Sequence, residues 1–325
     1  IKLVVELLQE TGIDFGFFRL IDYVTFRALT GLATALAISL LIGFRMTVTL
    51  YDRQIRDTSG DFMSIGVSSK RGTPTAGGAM LLVSTLLSAL LWSDFSNPFL
   101  WPLMIGFTYF CLVGFLDDFL KARFKSSLSG LSQIAKTLLM LGFIVPFALY
   151  FVSAWSPVPE ELRTLIYIPF YKNPVLDLGT IGFFLFAVFT FFAIINAVNI
   201  TDGMDGLLCG TASLTLAVYV ILAYILGNTI YSGYLLFPYM AGSQEMSVFG
   251  AILIGGVLGF MWFNTYPAEV FLGDTGSLGI GGTLSMMALM TKQEFLFVIV
   301  GGVFVFEVSR SLIQQKVGER MGTRD

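Results

Sequence analysis

Residues 178–206 read LGTIGFFLFAVFTFFAIINAVNITDGMDG. Positions 178–198 contain no charged residue, and the chain then turns abruptly into Asn199, Asp202 and Asp205. About 20 mostly apolar residues suffice for a helix to cross a hydrocarbon core about 30 Å thick. The apolar run is continuous and does not alternate with period two, so it reads as a helix and not as a barrel strand. This single stretch holds both themes of the chain: an uncharged span, and a sharp acidic and amidic border at its end.

Working outward, the same reading recurs at about 23–44, 74–93, 98–116, 131–153, 206–226, 247–263, 274–290 and 294–313, which makes nine predicted spans. The fold class expected is an all-α polytopic membrane protein, a single integral-membrane domain over 1–325. Composition agrees. Of 325 residues 55% are hydrophobic and 13% charged, against roughly 25% charged in soluble domains, and mean hydropathy is +0.80. An ordinary cytosolic enzyme is thereby excluded. A net charge of −3 and a pI near 5.1 speak against a nucleic-acid partner. With no histidine, a Ser-His-Asp triad and a His-bound zinc site are ruled out for this sequence. Two cysteines in apolar stretches, Cys111 and Cys209, form no disulfide framework.

Lysine and arginine counting sets the orientation. With nine spans, 13 basic residues fall on one side and five (Lys2, Arg19, Arg163, Lys172 and Lys292) on the other, with Arg27 inside the first span. The richer side is expected to be cytoplasmic and the N-terminus outside. Trp92, Trp101 and Trp155 then lie near the outer interface, and the segment 155–177 is expected to form a short outer hairpin or a surface patch. Gly255 with Gly259, and Gly281 with Ser285, have the small-xxx-small spacing that lets helices approach closely.

Polar chemistry collects on the basic side. Asp117 and Asp118 follow the third span, Asn196, Asn199, Asp202 and Asp205 end the fifth, and Asn264 and Asp274 bracket the loop after the seventh. Lys70 precedes the second span and Thr75 lies at its start, Lys121 and Lys125 lie in the loop after the third, and Lys136 opens the fourth. Close carboxylates repel, and a hard divalent cation with oxygen ligands relieves that repulsion. Lysines supply positive charge for phosphate oxygens. Acid, metal and lysine at a membrane surface point to phosphoryl transfer. Each element also has a plain counterpart: a solvated helix end, an Asp-Gly turn, an N-cap in GDTGS, topogenic lysines. Their coincidence on one side favours the functional reading.

Four motifs carry a resemblance. They are Lys70-x-Gly-Thr-Pro-Thr75-Ala-Gly-Gly, Asp117-Asp118 with Lys121 and Lys125, Asn196-Ala-Val-Asn199-x-Thr-Asp202-Gly-x-Asp205-Gly, and Phe263-Asn264-x-x-Pro-Ala-x-x-Phe271-x-Gly-Asp274-Thr-Gly-Ser. In this order they resemble the phospho-N-acetylmuramoyl-pentapeptide transferase family, of the polyprenyl-phosphate N-acetylhexosamine-1-phosphate transferase superfamily, over about residues 20–313. The resemblance implies a ten-helix enzyme of the bacterial inner membrane, a homodimer, that uses Mg2+. It implies transfer of phospho-MurNAc-pentapeptide from its UDP carrier to undecaprenyl phosphate, giving lipid I and UMP for peptidoglycan synthesis, with the active site facing the cytoplasm. By the same resemblance Asp274 is the first candidate for Mg2+ ligand, and Asp117 and Asp118 lie beside the reacting phosphates as further ligands. Asp117 is base or lipid-phosphate activator, two roles that stay open. Asn199, Asp202 and Asp205 complete a polar floor, Asp202 and Lys70 lie near the nucleotide, and Asn196 and Thr75 are further substrate-binding residues. Asn264 and Phe271 contribute to a uridine pocket, and Lys121, Lys125 and Lys136 handle phosphates or the lipid headgroup.

Two departures from the family pattern stand out. The family has a histidine-rich loop and a tenth span after the ninth, whereas this sequence stops at Asp325, so the expectation is a chain truncated before that loop, with its own activity open. Ile134 stands where the family commonly has arginine. The competing readings are a related UDP-GlcNAc polyprenyl-phosphate transferase and, from another class, an acid-lined cation transporter. The transporter predicts carboxylates near the bilayer centre, whereas these sit at span ends.

Overall fold

The structure, a computed structural model, describes residues 19–52, 77–124 and 130–321. After a one-turn helix at Arg19–Asp22 come α1 (Val24–Asp52), α2 (Gly78–Trp92), α3 (Leu100–Phe124) and α4 (Gln133–Val152). A 3-10 turn at Glu160–Leu162 leads into β1 (Leu165–Ile166), which pairs antiparallel with β2 (Leu176–Asp177). Then follow α5 (Gly179–Thr201), α6 (Leu207–Leu226), the short α7 (Thr229–Leu235), α8 (Gln244–Asn264), α9 (Gly273–Met290), α10 (Leu296–Val300) and α11 (Gly302–Met321). The segment 155–177 contains a hairpin, β1 paired with β2.

The protein is an all-α polytopic membrane protein. Six described helices, α1, α3, α4, α5, α6 and α8, are long and apolar enough to cross a membrane. All nine apolar segments carry helix, but the other three differ from a plain span. With 15 residues, α2 is shorter. In α9 every residue from Thr275 to Met290 is buried, so this helix meets protein on all sides and tolerates the Gly, Ser and Thr that a lipid-facing helix would replace with larger apolar groups. The ninth segment, expected as one helix, is broken at Gly301 between α10 and α11. A Gly-Gly pair at 301–302 weakens the helix there, since glycine loses the most backbone freedom on ordering.

The core is built around α9, which packs against α2, α3, α5 and α6, while α8 lies along α1, α6 and α2. Both small-residue pairs act as expected. A Cβ at Gly255 would collide with the Leu32 carbonyl, and one at Gly259 would come within 2.6 Å of Ser39 Cβ, so α1 and α8 touch backbone to backbone. Likewise, a Cβ at Gly281 would sit 3.0 Å from Ile195 Cα on α5, and Ser285 donates to the Phe191 carbonyl at 3.3 Å.

One difference bears on the site. The third span was expected to stop near 116, yet α3 continues to Phe124. Asp117 and Lys121 then fall at i,i+4, and their ion pair supports the added turns. Asp117 and Asp118 are therefore helical residues, not loop residues.

Candidate active site

Helix ends that are distant in sequence meet at one end of the bundle: the last turns of α3, α5 and α8, and the first turns of α4, α6 and α9. Asp117 and Asp118, from α3, are both buried. Asp274 is the second residue of α9. Each of these three carboxylates offers an oxygen within 4.8 Å of the others. Two like charges 4.8 Å apart repel by about 3.5 kcal/mol at an effective dielectric of about 20. Lys121 Nζ lies 2.6 Å from Asp117 Oδ2 and 2.7 Å from Asp274 Oδ2. Lys136, in the first turn of α4, reaches Asp274 Oδ2 at 3.1 Å. Formally, three carboxylates stand against two ammonium groups at this centre. The donor set is all oxygen and partly buried, which fits a hard cation, and the cluster is able to hold a metal ion.

The backbone around these groups is shaped to bring them together. Gly273, which opens α9, has φ +72, a left-handed conformation that suits glycine, and a Cβ there would meet Asp118 Oδ2 at 2.6 Å. On α3, a Cβ at Gly114 would collide with the Asp274 carbonyl. Asp118 accepts from the Asp274 amide at 3.1 Å, the Thr275 amide at 2.9 Å and the Thr275 hydroxyl at 2.6 Å. Asp117 Oδ1 accepts from the Leu131 amide at 2.6 Å, which ties the segment before α4 to α3.

Around this centre lie the amides and further acids. Asn199, near the end of α5, accepts from Ser277 Oγ at 2.7 Å. Asn196 donates to the Phe192 carbonyl at 2.7 Å, one turn back on its own helix. Asp202 caps α5, and its amide donates to the Asn199 carbonyl. Asp205 Oδ2 accepts from the Ala268 amide at 3.3 Å. Asn264 is buried, with both ends of its amide in use: Oδ1 accepts from the Gly206 amide at 3.0 Å and Nδ2 donates to the Val270 carbonyl at 3.0 Å. Phe271 is half-buried, and its carbonyl accepts from the Gly77 amide at 3.0 Å. The chain that leaves residues 53–76 thus arrives beside the acidic centre. Lys70, Thr75 and Lys125 lie outside the described residues.

The predicted residues that the structure describes therefore gather at one end, with Asp117, Asp118, Lys121, Lys136 and Asp274 in direct contact. GDTGS reads in sequence as an N-cap, with Asp274 or Thr275 satisfying the helix amides. Here, instead, Asp118 of α3 accepts from the Thr275 amide and the Thr275 hydroxyl, and Ser277, which has no sequence reading of its own, links α9 to Asn199. For Ser277 the signal in the sequence is its position, three residues after Asp274.

A family model described as glycosyl transferase family 4 matches residues 100–292, a range that contains the three clustered carboxylates. A phospho-N-acetylmuramoyl-pentapeptide-transferase of Desulfovibrio desulfuricans is 40% identical over 321 residues, covering 95% of this chain and 84% of that protein. Proteins of the same name from Citrifermentans bemidjiense and Nitratidesulfovibrio vulgaris are 38% identical over 314 residues and 39% over 309, with the same coverage.

Proposed function

Because the chain belongs to the phospho-N-acetylmuramoyl-pentapeptide transferase family, and is thus a membrane phosphotransferase of peptidoglycan synthesis, we propose that it transfers phospho-MurNAc-pentapeptide from UDP to undecaprenyl phosphate. The products are lipid I and UMP. The reaction is Mg2+-dependent and takes place at the cytoplasmic face of the bacterial inner membrane, with the N-terminus outside and the enzyme a homodimer. The observation that carries the reading is the meeting of Asp117, Asp118 and Asp274 with Lys121 and Lys136 at one end of the bundle.

An oxygen of the lipid phosphate forms a bond to the β-phosphorus of the sugar nucleotide. The bond from that phosphorus to the bridging oxygen breaks, and its electron pair leaves with UMP. A phosphate monoester has a second pKa of about 6, so the nucleophile is mostly ionised at pH 7. A strong general base is not needed; the obstacle is repulsion between anions. Mg2+, when bound, neutralises phosphate charge. Asp274 and Asp117 would hold it, and Lys121 and Lys136, together with Lys125 and Lys70, would receive phosphate oxygens. The half-exposed Asn196 and Asn199, with Asp202 and Asp205, orient the sugar nucleotide, Thr75 is a further substrate-binding residue, and Phe271 stacks on uracil. Asn264, whose amide is committed to Gly206 and Val270, shapes the uridine pocket by holding its walls.

UMP release by the purified chain, given undecaprenyl phosphate and either UDP-MurNAc-pentapeptide or UDP-GlcNAc, with and without Mg2+, tests the proposal. Release with the first sugar nucleotide alone, and only with Mg2+, is expected. Release with UDP-GlcNAc alone would assign the related transferase activity instead. Cation flux in proteoliposomes without any lipid-linked product would overturn the enzymatic reading.

A further inference from the structure

The three clustered carboxylates are not equivalent. The partners of Asp274 Oδ2 are two lysine ammonium groups, and that of Asp117 Oδ2 is one. Lys121 is 36% exposed, and a side chain on four rotatable bonds swings aside when another cation or a phosphate arrives. Asp118 is bound differently. Its Oδ2 accepts both the amide and the hydroxyl of Thr275, and its Oδ1 accepts the Asp274 amide. The first amides of a helix have no carbonyl partner within it, so a carboxylate from α3 here performs the service of an N-cap for α9. Those amides leave Asp118 only if the first turn of α9 unwinds. Gly114 and Gly273 give the space for this approach, since a side chain at either would strike Asp274 or Asp118.

We propose that Asp118 is a positioning residue and not a metal ligand: with Thr275 it clasps the start of α9 to α3, so that Asp274 and Asp117 face a shared ion. For the ion, the inference rests on the function proposed above; the clasp rests on hydrogen bonds alone. Asp118 acts through Asp274, and Thr275 is the second half of the device.

Two measurements on the purified full chain in detergent test it. The first replaces each carboxylate by cysteine and adds Cd2+, which thiolates favour. Asp117→Cys and Asp274→Cys should develop the ultraviolet thiolate-to-cadmium band, whereas Asp118→Cys should stay at the baseline set by the native chain with its buried Cys111 and Cys209. A band from Asp118→Cys as strong as that from Asp274→Cys would overturn the assignment. The second is amide hydrogen exchange over residues 273–277, which needs no metal. Asp118→Asn turns one accepting oxygen into an NH2 donor, so either the Asp274 amide or the Thr275 amide loses its acceptor, and exchange over this segment should speed by about tenfold, with the rest of the chain unchanged, so that a misfolded variant is recognised. Thr275→Val should also speed exchange and lower turnover by about tenfold, and Thr275→Ser should restore both. Native exchange in Asp118→Asn and Thr275→Val would show the clasp idle and sink the inference. Silence of all three cysteine variants toward Cd2+ would count against the metal reading above, with the clasp still decided by exchange.

Discussion

The bundle buries charge at both ends, but to opposite effect. Away from the acidic centre, Arg27 of α1 meets Glu245 of α8 in a two-pronged ion pair, both contacts at 2.9 Å. Arg27 also donates to the Trp92 carbonyl, and the Asp94 amide donates to Glu245. Nearby, Lys292 donates to the Arg163 carbonyl at 3.1 Å, lies 3.4 Å from Glu294 and sits 3.6 Å from the centre of the Phe183 ring. Arg27 and Lys292 each face one anion there, Arg27 tightly and Lys292 more loosely. At the acidic end Asp117 and Asp274 share two ammonium groups, while Asp118 accepts only from the first amides of α9 and the Thr275 hydroxyl, so formal anionic charge exceeds cationic and a cation from outside can be taken up. Balanced buried charge locks helices together; unbalanced buried charge recruits a ligand.

The sharpest way to break this contrast is at Asp274. Asp274→Asn should remove about 4 kcal/mol of transition-state charge stabilisation, roughly a thousandfold in metal-dependent turnover, while thermal unfolding in detergent shifts little. Near-native UMP release would mean that the acidic end is as self-contained as the other. The converse experiment is at Glu245. Glu245→Gln leaves Arg27 buried without its counter-charge and should cost about 3 kcal/mol of stability, read as a lower unfolding temperature. Replacing both partners together, Arg27→Met with Glu245→Leu, should recover most of that loss and leave turnover per folded molecule near native. A double variant that stays unstable would show that the pair does more than join α1 to α8.

Much of this was legible in the residues. Uncharged runs announced the helices, because a lipid-facing or core-facing span has no use for charge. The gathering of Asp117, Asp274 and Lys136 followed from one rule, that alternate span ends share a side. What was not legible depends on packing. Two neighbouring aspartates, Asp117 and Asp118, look alike in sequence, yet successive helix positions point about 100° apart, so one carboxylate faces Lys121 and the other the start of α9. Lys292 was counted among the outer topogenic charges, whereas it is fully buried under Phe183; no local pattern distinguishes a lysine in a loop from one folded beneath a hairpin. The break at Gly301 had a visible signal in Gly301-Gly302, hidden by the apolar residues on both sides.

Lys292 provides the subtlest test of the contrast, through pH. Burial pushes its ammonium down to about 8 from an ordinary value of 10.5, and the nearby Glu294 only partly opposes that. In the unfolded chain the amine keeps its proton up to the ordinary value. Between pH 8 and 10.5 the unfolded chain therefore binds more protons than the folded one, and stability contributed by this group rises with pH across that window, by at most about 1.4 kcal/mol per pH unit. As pH falls through the window, that contribution is lost. Other groups titrate there too, so the measurement is a difference: unfolding temperature against pH for the native chain and for Lys292→Met. The native curve should climb relative to the variant from about pH 8 upward. Parallel curves would show that Glu294 holds Lys292 charged throughout. The clasp under the hairpin would then be an ion pair as firm as Arg27 with Glu245, not a lysine only partly compensated for its burial.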